Sequence, residues 1–415
     1  MKVLISSKYS TYSKGSVGGA ETSMRLLAEK LSNAGHEVYY MARGTTGFKI
    51  EKKKVNGVYV ILYPHISLPK RSKEMNGKAS YLYNGYQLIN RLKLSFIKRL
   101  NRYMLNRAVR TVNSKDVDIV YVYYESVMMR YFTQLRKKKD LRYKIVLRMA
   151  GLHWLSVVNS VPKSKAEYEK LFNRMDSFNF ISEGIRKLTR NEFDRYGMKV
   201  KSGKELVCDI GVDSDVMRTC SSESLERTKK NGTYKILCIS RFSSHQKRQD
   251  ILLKAIGVID GREKFSVTFI GEGEQRERFI ENVQELNLEN IVSVKNYMSQ
   301  DRLWNEMRSA DLLCHPCDYE GLSKIIVESM MLGLPVLASN VLPINGYISE
   351  GINGFLADNR AIEWAERIME ISDLEEGSLK KIKHTAQKFA TENFDAEKNV
   401  QLYEKHFSEL LASEN

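Results

Sequence analysis

The sequence predicts an α/β protein with two doubly wound parallel sheets facing a central cleft. Short apolar strands alternate with amphipathic helices, and this series starts twice, near residue 1 and again near residue 233. Such alternation builds parallel sheets covered by helices on both faces. The length of 415 residues exceeds one ordinary core, and it suits two domains of about 200 residues each.

The first series opens with the strand MKVLISS, a glycine loop and an amphipathic helix that ends at Gly35. Apolar runs and helical periodicity predict the remaining elements of this half. The predicted strands are 37–43, 58–64, 118–124, 144–150 and 178–180, with a long helix over 81–113 and another after Ser182.

The second series begins with the strand TYKILCISRF at 233–242 and repeats the same order of strand and helix. Its later strands are predicted at 265–273, 291–296, 311–316 and 335–339. The helices between them are predicted at 249–259, 275–286, 299–310 and after Glu320. Ligands of such folds bind in the cleft at the carboxyl ends of the strands.

The polar segment SSESLERTKKNGT separates the two series and places the domain boundary around residues 205–232. We therefore predict an N-terminal domain at 1–206 and a C-terminal domain at 207–385. The last helices, 386–415, are expected to pack back towards the N-terminal domain.

Charge is distributed unevenly between the two halves. Residues 1–206 carry 41 Lys and Arg against 16 Asp and Glu, a net +25, whereas residues 207–415 carry 25 against 34, a net −9. A strongly basic half indicates an anionic partner such as a membrane surface, nucleic acid or phosphorylated substrate. Ordinary solvated Lys and Arg are the alternative. Because no nucleic-acid-binding motif is recognisable, we expect no nucleic-acid partner.

The five cysteines, Cys208, Cys220, Cys238, Cys314 and Cys317, do not form an even disulfide framework and favour a reduced compartment. The CxxC spacing of Cys314 and Cys317 lacks a second ligand pair for zinc, so both are predicted to be structural. No signal-peptide core or 18-residue apolar run is present. We expect a cytoplasmic protein, and whether it lies on the inner face of the cell membrane is left open.

Two glutamates eight residues apart, Glu320 and Glu328, bracket a glycine and open an apolar helix. Eight helical residues rise roughly 12 Å, so one carboxylate can hold a sugar while the other holds a ribose. The N–H groups of Gly321, Leu322 and Ser323 are predicted at the helix start, where a phosphate is favoured. An acidic loop residue and an unrelated helix glutamate are the alternative.

Several further motifs occur in order along the chain. They are Gly18-Gly19-Ala20-Glu21, Asp209-Ile210-Gly211-Val212-Asp213, Ser240-Arg241 through Lys247-Arg248, Gly333-Leu334-Pro335-Val336 and Gly351-Ile352-Asn353-Gly354-Phe355-Leu356. Together with the glutamate pair, they make nearly the whole chain resemble the retaining glycosyltransferases of family 4, within glycosyl transferases group 1. The departures are Asp209 for asparagine, and Ser240 and Arg248 for glycines.

The resemblance implies the GT-B fold and a retaining hexosyltransferase, with an acceptor-binding domain at 1–206 and a nucleotide-sugar-binding domain at 207–385. It implies that Glu320 contacts the transferred sugar, that Glu328 binds the ribose, and that Arg241 and Lys247 neutralise the departing diphosphate. Both cations suit a leaving group that gains negative charge. The glycines Gly18 and Gly19 are expected to let the backbone approach a phosphate, although a plain tight turn is the alternative.

Three further sites, one turn and two single residues, each have two interpretations. Gly271 and Gly273 resemble the turn that borders the nucleotide base, but they also suit a purely structural turn. His153 stands where the family commonly has a histidine reaching the donor sugar, and it could instead be packed beside Trp154. Ser182 resembles a cleft residue and equally suits a helix N-cap.

No metal and no cofactor are expected. The D-x-D patterns at 116–118 and 213–215 are poor metal candidates because the first opens a strand and the second belongs to a loop matched above. The resemblance implies that cationic side chains and helix donors replace a metal beside the nucleotide-diphosphate sugar.

The sequence shows no assured nucleophilic carboxylate for a double displacement, so front-face transfer is predicted. The acceptor is expected to be a glycan or lipid-linked hydroxyl, in bacterial surface polysaccharide or lipid-linked glycan synthesis. The basic amphipathic stretch 85–110 either contacts anionic membrane or packs on the sheet with its basic face solvated. A nucleotide-sugar epimerase and a basic nucleic-acid-binding protein are the rival functions.

Overall fold

Two separate sheets form the framework of the chain, which agrees with the predicted fold class. The computed structural model describes all residues except 13–18, 45–48, 67–79, 114, 124–125, 162–163, 202, 220–231, 244–245 and 414–415, and it leaves out the side chains of 80–93, 126, 153, 216 and 218–219. Among the described residues, no helix combines the length and the apolar character needed to cross a membrane.

The first sheet has eight strands in the order β3-β4-β2-β1-β5-β6-β7-β8. Its strands are Lys2–Ser6 (β1), Glu37–Arg43 (β2), Glu51–Val55 (β3), Val58–Tyr63 (β4), Ile119–Tyr123 (β5), Lys144–Met149 (β6), Ser177–Phe180 (β7) and Lys204–Val207 (β8). All neighbours are parallel except β3 and β4. The chain reverses its direction of winding between β1 and β5, which creates a crevice at their carboxyl ends.

Six helices accompany this sheet. They are Gly19–Asn33 (α1), Ser80–Val109 (α2), Ser126–Lys139 (α3), His153–Ser160 (α4), Ser164–Phe172 (α5) and Glu183–Arg195 (α6). Buried apolar side chains cover the sheet on both faces, with Leu27 of α1 on one face and Phe132 of α3 on the other. Three of these helices, α3 to α5, lie in segments for which the sequence analysis predicted no helix.

The second sheet has six parallel strands in the order β11-β10-β9-β12-β13-β14. A short helix, Ser214–Thr219 (α7), precedes Tyr234–Ile239 (β9), Phe265–Ile270 (β10), Val292–Lys295 (β11), Leu312–His315 (β12), Val336–Ser339 (β13) and Phe355–Ala357 (β14). The accompanying helices are Gln249–Val258 (α8), Arg276–Glu285 (α9), Gln300–Ser309 (α10), Lys324–Met331 (α11), Ala361–Ser372 (α12) and Glu376–Phe394 (α13). Here the switch in winding lies between β9 and β12.

The edge strand β3 is an element that the sequence analysis missed. It pairs antiparallel with β4 through a turn at Asn56 and Gly57, which have φ values of 48° and 80°. An Asn-Gly pair is the strongest short-range signal of such a hairpin. The strand escaped prediction because EKKKV is dominated by lysines, which are typical of exposed sheet edges.

The chain crosses between the two domains at two places that touch each other. The last helix, Ala396–Ala412 (α14), leaves the second domain and packs its buried Val400, Tyr403 and Phe407 on the first sheet with α1. At the turn before it, Val212 N donates to Phe394 O and Ala396 N donates to Val212 O, both at 2.9 Å. The segment between the sheets is therefore held against the start of α14.

Candidate active site

The site centres on the switch point of the second sheet, at the carboxyl ends of β9 and β12. The loops that follow these strands are joined by backbone hydrogen bonds, from Arg248 N to Pro316 O at 3.1 Å and from Asp318 N to Gln246 O at 2.9 Å. This pairing brings the Lys247 loop beside the Glu320 loop. Two motifs that are distant in sequence thus form one surface.

Lys247 and Glu320 form a direct, hydrogen-bonded ion pair at this surface. Their side chains are only 13% and 16% exposed. Burial by itself raises the pKa of Glu320, but the Lys247 ammonium and His315 outweigh it and hold that pKa well below the usual range. Glu320 is therefore ionised, and two of the residues predicted for donor binding contact each other.

His315 ends β12 directly beneath this pair and is 2% exposed. Its Nε2 lies 3.3 Å from Lys247 Nζ, 3.3 Å from Ser323 Oγ and 3.7 Å from Glu320 Oε2. The sequence analysis considered this position only as part of the Cys314 to Cys317 spacing. Its place at a strand end, five residues before Glu320, is the signal that could have found it.

The helix start next to Glu320 differs in detail from the predicted phosphate cradle. Ser323 is the N-cap of α11, and its side chain makes no capping hydrogen bond. Gly321 N donates to Glu320 Oε1 at 3.2 Å, and Ser323 N donates to the Tyr347 hydroxyl at 3.4 Å. Two of the three predicted donors are thus engaged within the protein, and a phosphate there would compete with these contacts.

Gly321 and Leu322 also meet the first domain. A Cβ at Gly321 would lie 2.6 Å from Ala150 O, just beyond β6, and 3.0 Å from Ile181 Cδ1. Leu322 packs against the core of each domain. Only glycine permits this approach, so the Glu320 loop forms part of the contact across the cleft.

Glu328 lies just over one helical turn after the first residue of α11 and is 5% exposed. Gln300 Nε2 of α10 donates to its Oε2 at 3.0 Å. Burial raises the pKa of Glu328 to about 7, although Lys324 and Gln300 oppose the rise. The carboxyl is therefore a buried group that changes charge near neutral pH.

Lys324, the first residue of α11, is half-buried between Glu328 and the first domain. Burial lowers its pKa, against the attraction of Asp209 and Glu328. Asp209 itself is paired with Arg148 at 2.7 Å, and both side chains are more than nine-tenths buried. This pair explains the departure at Asp209, because a buried arginine requires an anionic partner where the family has asparagine.

Of the remaining predicted residues, Arg241 follows β9 with an exposed side chain. Gly271 and Gly273 have φ values of 158° and 151°, and a Cβ at either would lie 2.1 Å from a carbonyl oxygen, of Ser240 and Phe242 respectively. These glycines hold two loops of the second domain together, which supports the structural interpretation of the turn.

In the first domain, Gly19 begins α1, and a Cβ there would meet no atom within 4 Å. Gly18 lies outside the described residues. His153 begins α4 immediately after β6, at the cleft end of the strand, and its side chain is not described. Ser182 accepts from Ile185 N at 3.2 Å and caps α6, the second of the two roles left open for it.

Acidic groups considered for metal binding have other partners. Asp118 accepts a hydrogen bond from Lys2 N at 2.6 Å, and Asp213 forms an ion pair with Lys30 at 2.9 Å. Within the described part of the chain, no group of three or more His, Cys, Asp or Glu could hold a metal ion. Cys314 and Cys317 are free and buried.

Comparison with known proteins gives this site its context. An uncharacterized glycosyltransferase of Methanocaldococcus jannaschii is 24% identical over 99% of both chains. Among solved structures, sucrose-phosphate synthase from Thermosynechococcus elongatus superposes with a TM-score of 0.73 at 16% identity, over 99% of both chains. The HepE protein of Anabaena, in complex with UDP-glucose, superposes with a TM-score of 0.69 at 18% identity, over 100% of both chains.

Residues 222–389, which include the Lys247 loop and α11, match the family model of glycosyl transferases group 1. The two facing α/β domains are those of the GT-B fold, as in the superposed structures. The part of the chain that carries the site, residues 222–389, is thus that of glycosyl transferases group 1, and the whole chain has the GT-B fold.

Proposed function

We propose that this glycosyltransferase moves a hexose from a nucleoside-diphosphate donor to a hydroxyl acceptor with retention of anomeric configuration, as family 4 enzymes do. The observation that carries the proposal is the ionised Lys247–Glu320 pair beside the start of α11, at the switch point of the second sheet. A solved structural relative, HepE, contains UDP-glucose, which supports a donor of this chemical class.

Each group of the site has a chemical role in this proposal. Lys247 and Arg241 bind the diphosphate and stabilise the charge that it gains as it leaves. Glu320 accepts hydrogen bonds from the sugar hydroxyls, and Glu328 accepts from the ribose, since a carboxylate has several acceptor sites. His153 follows β6 on the opposite side of the cleft and is proposed to reach the donor sugar.

The transfer proceeds on one face of the sugar. The bond between the anomeric carbon and the diphosphate oxygen breaks as the acceptor oxygen bonds to the same carbon. The acceptor proton passes to the leaving phosphate oxygen, so no protein base is required. The positive charge of the Lys247 loop is present before reaction, which is the condition under which such stabilisation is effective.

Donor chemistry is tested by incubating the protein with a panel of nucleoside-diphosphate hexoses and measuring melting temperature and nucleoside diphosphate release. One donor should raise the melting temperature, because a ligand that binds only the folded protein stabilises the folded state. The same donor should be slowly hydrolysed. The anomeric configuration of the transferred sugar is then read by NMR. An inverted product refutes retention, and conversion of the donor sugar without an acceptor indicates an epimerase.

The acceptor is proposed to lie against the basic first domain, as a glycan or lipid-linked hydroxyl at the cytoplasmic membrane face. The net +25 of residues 1–206 supports an anionic surface as partner. Flotation with vesicles of phosphatidylglycerol should carry the protein at low salt, whereas phosphatidylcholine vesicles should not. Equal recovery with both lipids contradicts the membrane contact.

A further inference from the structure

We propose that His315 is a positioning residue that holds Lys247 for the donor diphosphate, through a neutral ring whose Nε2 accepts a hydrogen bond from the ammonium. The inference rests on the proposed donor site and adds to it a residue from the strand beneath. Its starting point is the geometry around Nε2, which faces Lys247 Nζ and Ser323 Oγ at 3.3 Å each.

The protonation of the ring follows from its neighbours. A lysine ammonium has three donors and no acceptor, so Nε2 makes an attractive contact with Lys247 only if it carries no proton. The proton of a neutral ring must then be on Nδ1. Burial lowers the pKa of His315 and the Lys247 ammonium lowers it further, although Glu320 opposes them, which is consistent with a neutral ring.

The cost of this tautomer is visible in the structure. Nδ1 of His315 is buried and has no hydrogen-bond partner among the described residues. A buried N–H without a partner destabilises a fold by about 1–3 kcal/mol. An apolar side chain would avoid that penalty, so the role inferred for the ring belongs to its other nitrogen, which faces Lys247 and Ser323.

The other nitrogen fixes the direction of Lys247. One ammonium proton is directed to Glu320, and a second is directed to His315. No described residue accepts the third proton, which is left for a ligand in the cleft. Because the ring belongs to β12 and the lysine to the loop after β9, the contact also ties the two loops of the switch point together.

The remaining titratable groups around the ring do not supply charge. Burial raises the pKa of the Cys317 thiol and of the Tyr347 phenol, so both are neutral across the physiological range. The charged groups facing His315 are Lys247 and Glu320. Protonation of His315 in acid would place a proton on Nε2. The ring would then donate towards Glu320 instead of accepting from Lys247, and the lysine would lose this contact.

The test uses UDP as the probe and titration calorimetry as the measurement. His315→Leu should weaken UDP binding about tenfold, the loss expected of one hydrogen bond to a charged group. His315→Gln places an amide oxygen near the position of Nε2 and should restore most of the affinity. His384→Gln, on an exposed position of α13, is the matched control and should leave affinity unchanged.

A double-mutant cycle separates positioning from general damage. In a Lys247→Met background, His315→Leu should cause no further loss, since its effect passes through the lysine. An equal loss in both backgrounds, or unchanged UDP binding in His315→Leu alone, overturns the inference. Circular dichroism and melting curves of every variant establish that each is folded.

A ligand-free measurement decides the tautomer. In spectra of protein containing ¹⁵N-histidine, assigned by comparison with His315→Gln, Nδ1 of His315 should carry the proton and Nε2 should be unprotonated. A proton on Nε2 at neutral pH refutes the inference. If UDP fails to bind even the unaltered protein, the proposed UDP-type donor site fails, while this spectrum still decides the role of His315.

Discussion

Replacing Glu328 by glutamine should make the protein more stable at alkaline pH while weakening its hold on the donor. Glu328 is 5% exposed, and its pKa rises to about 7 because burial disfavours the charge. In the unfolded chain the group returns to its ordinary value of 4.5. Folding therefore requires Glu328 to keep a proton that the unfolded chain has already released.

The sign follows from that difference. The folded state binds more protons than the unfolded state between pH 4.5 and about 7, so the stability contributed by the protonated carboxyl is present below this window and is lost across it. At about 1.4 kcal/mol per unit of pKa, the interval corresponds to at most about 3.5 kcal/mol. Glutamine has the same shape, carries no ionisable proton and avoids the loss.

Guanidinium unfolding at pH 4.5, 6 and 8 measures the effect, with Trp304 and Trp364 as fluorescent reporters in the second domain. Glu328→Gln and the unaltered protein should be nearly equal at pH 4.5 and should differ by about 1–3 kcal/mol at pH 8. The exposed Glu277→Gln is the matched control. A difference that does not grow with pH would falsify the account of this buried carboxyl.

The same variant tests the ribose assignment. The glutamine amide keeps one oxygen acceptor and replaces the other with a donor, so it accepts fewer ribose hydroxyls than a carboxylate. UDP affinity should fall several-fold at pH 8, which is about 1 kcal/mol for one lost hydrogen bond. A more stable variant with undiminished UDP affinity would place the ribose elsewhere.

Three further perturbations test the rest of the site. Lys247→Ala and Arg241→Ala should each lower the transfer rate by roughly 10²–10³-fold, with Lys254→Ala, whose side chain is exposed on α8, as the control; unaltered turnover removes the residue from the diphosphate site. Arg148→Met should destabilise the fold by about 3–5 kcal/mol by leaving a buried carboxylate unpaired, and adding Asp209→Asn should recover most of that loss in guanidinium unfolding; purely additive losses contradict the buried pair. Transfer should continue in excess EDTA at an unchanged rate, and activity lost to EDTA and restored by Mg²⁺ or Mn²⁺ means that a metal is required.

The sequence predicted the two sheets because buried parallel strands are short apolar runs that periodicity detects well. It assigned Lys247 and Glu320 to one donor only through the resemblance, and it did not predict their contact. Their contact depends on the backbone pairing of two loops, which no local pattern encodes. The hairpin strand β3 and helices α3 and α5 were missed because their charged residues weaken the apolar period that marks an element. Helix α4 has only eight residues, HWLSVVNS, which are too few to show a helical period.

Other parts of the site depend on burial, which a sequence does not display. In the sequence His315 is only a residue between two cysteines. The fold shows that β12 places its ring under Lys247. The pairing of Arg148 with Asp209 joins residues 61 positions apart, and only the fold shows that an unusual aspartate has its own counterion. The raised pKa of Glu328 likewise follows from its burial in the folded chain.

The double crossing of the chain at Val212 and Phe394 has a mechanical consequence. Two connections that hydrogen-bond to each other act as one hinge, because sliding or twisting of the domains would break the bonds between them. The motion that remains for the domains is rotation about this hinge. Such rotation would separate Gly321 from Ala150 while leaving the hinge intact, so entry of the proposed donor and release of its product would share one degree of freedom.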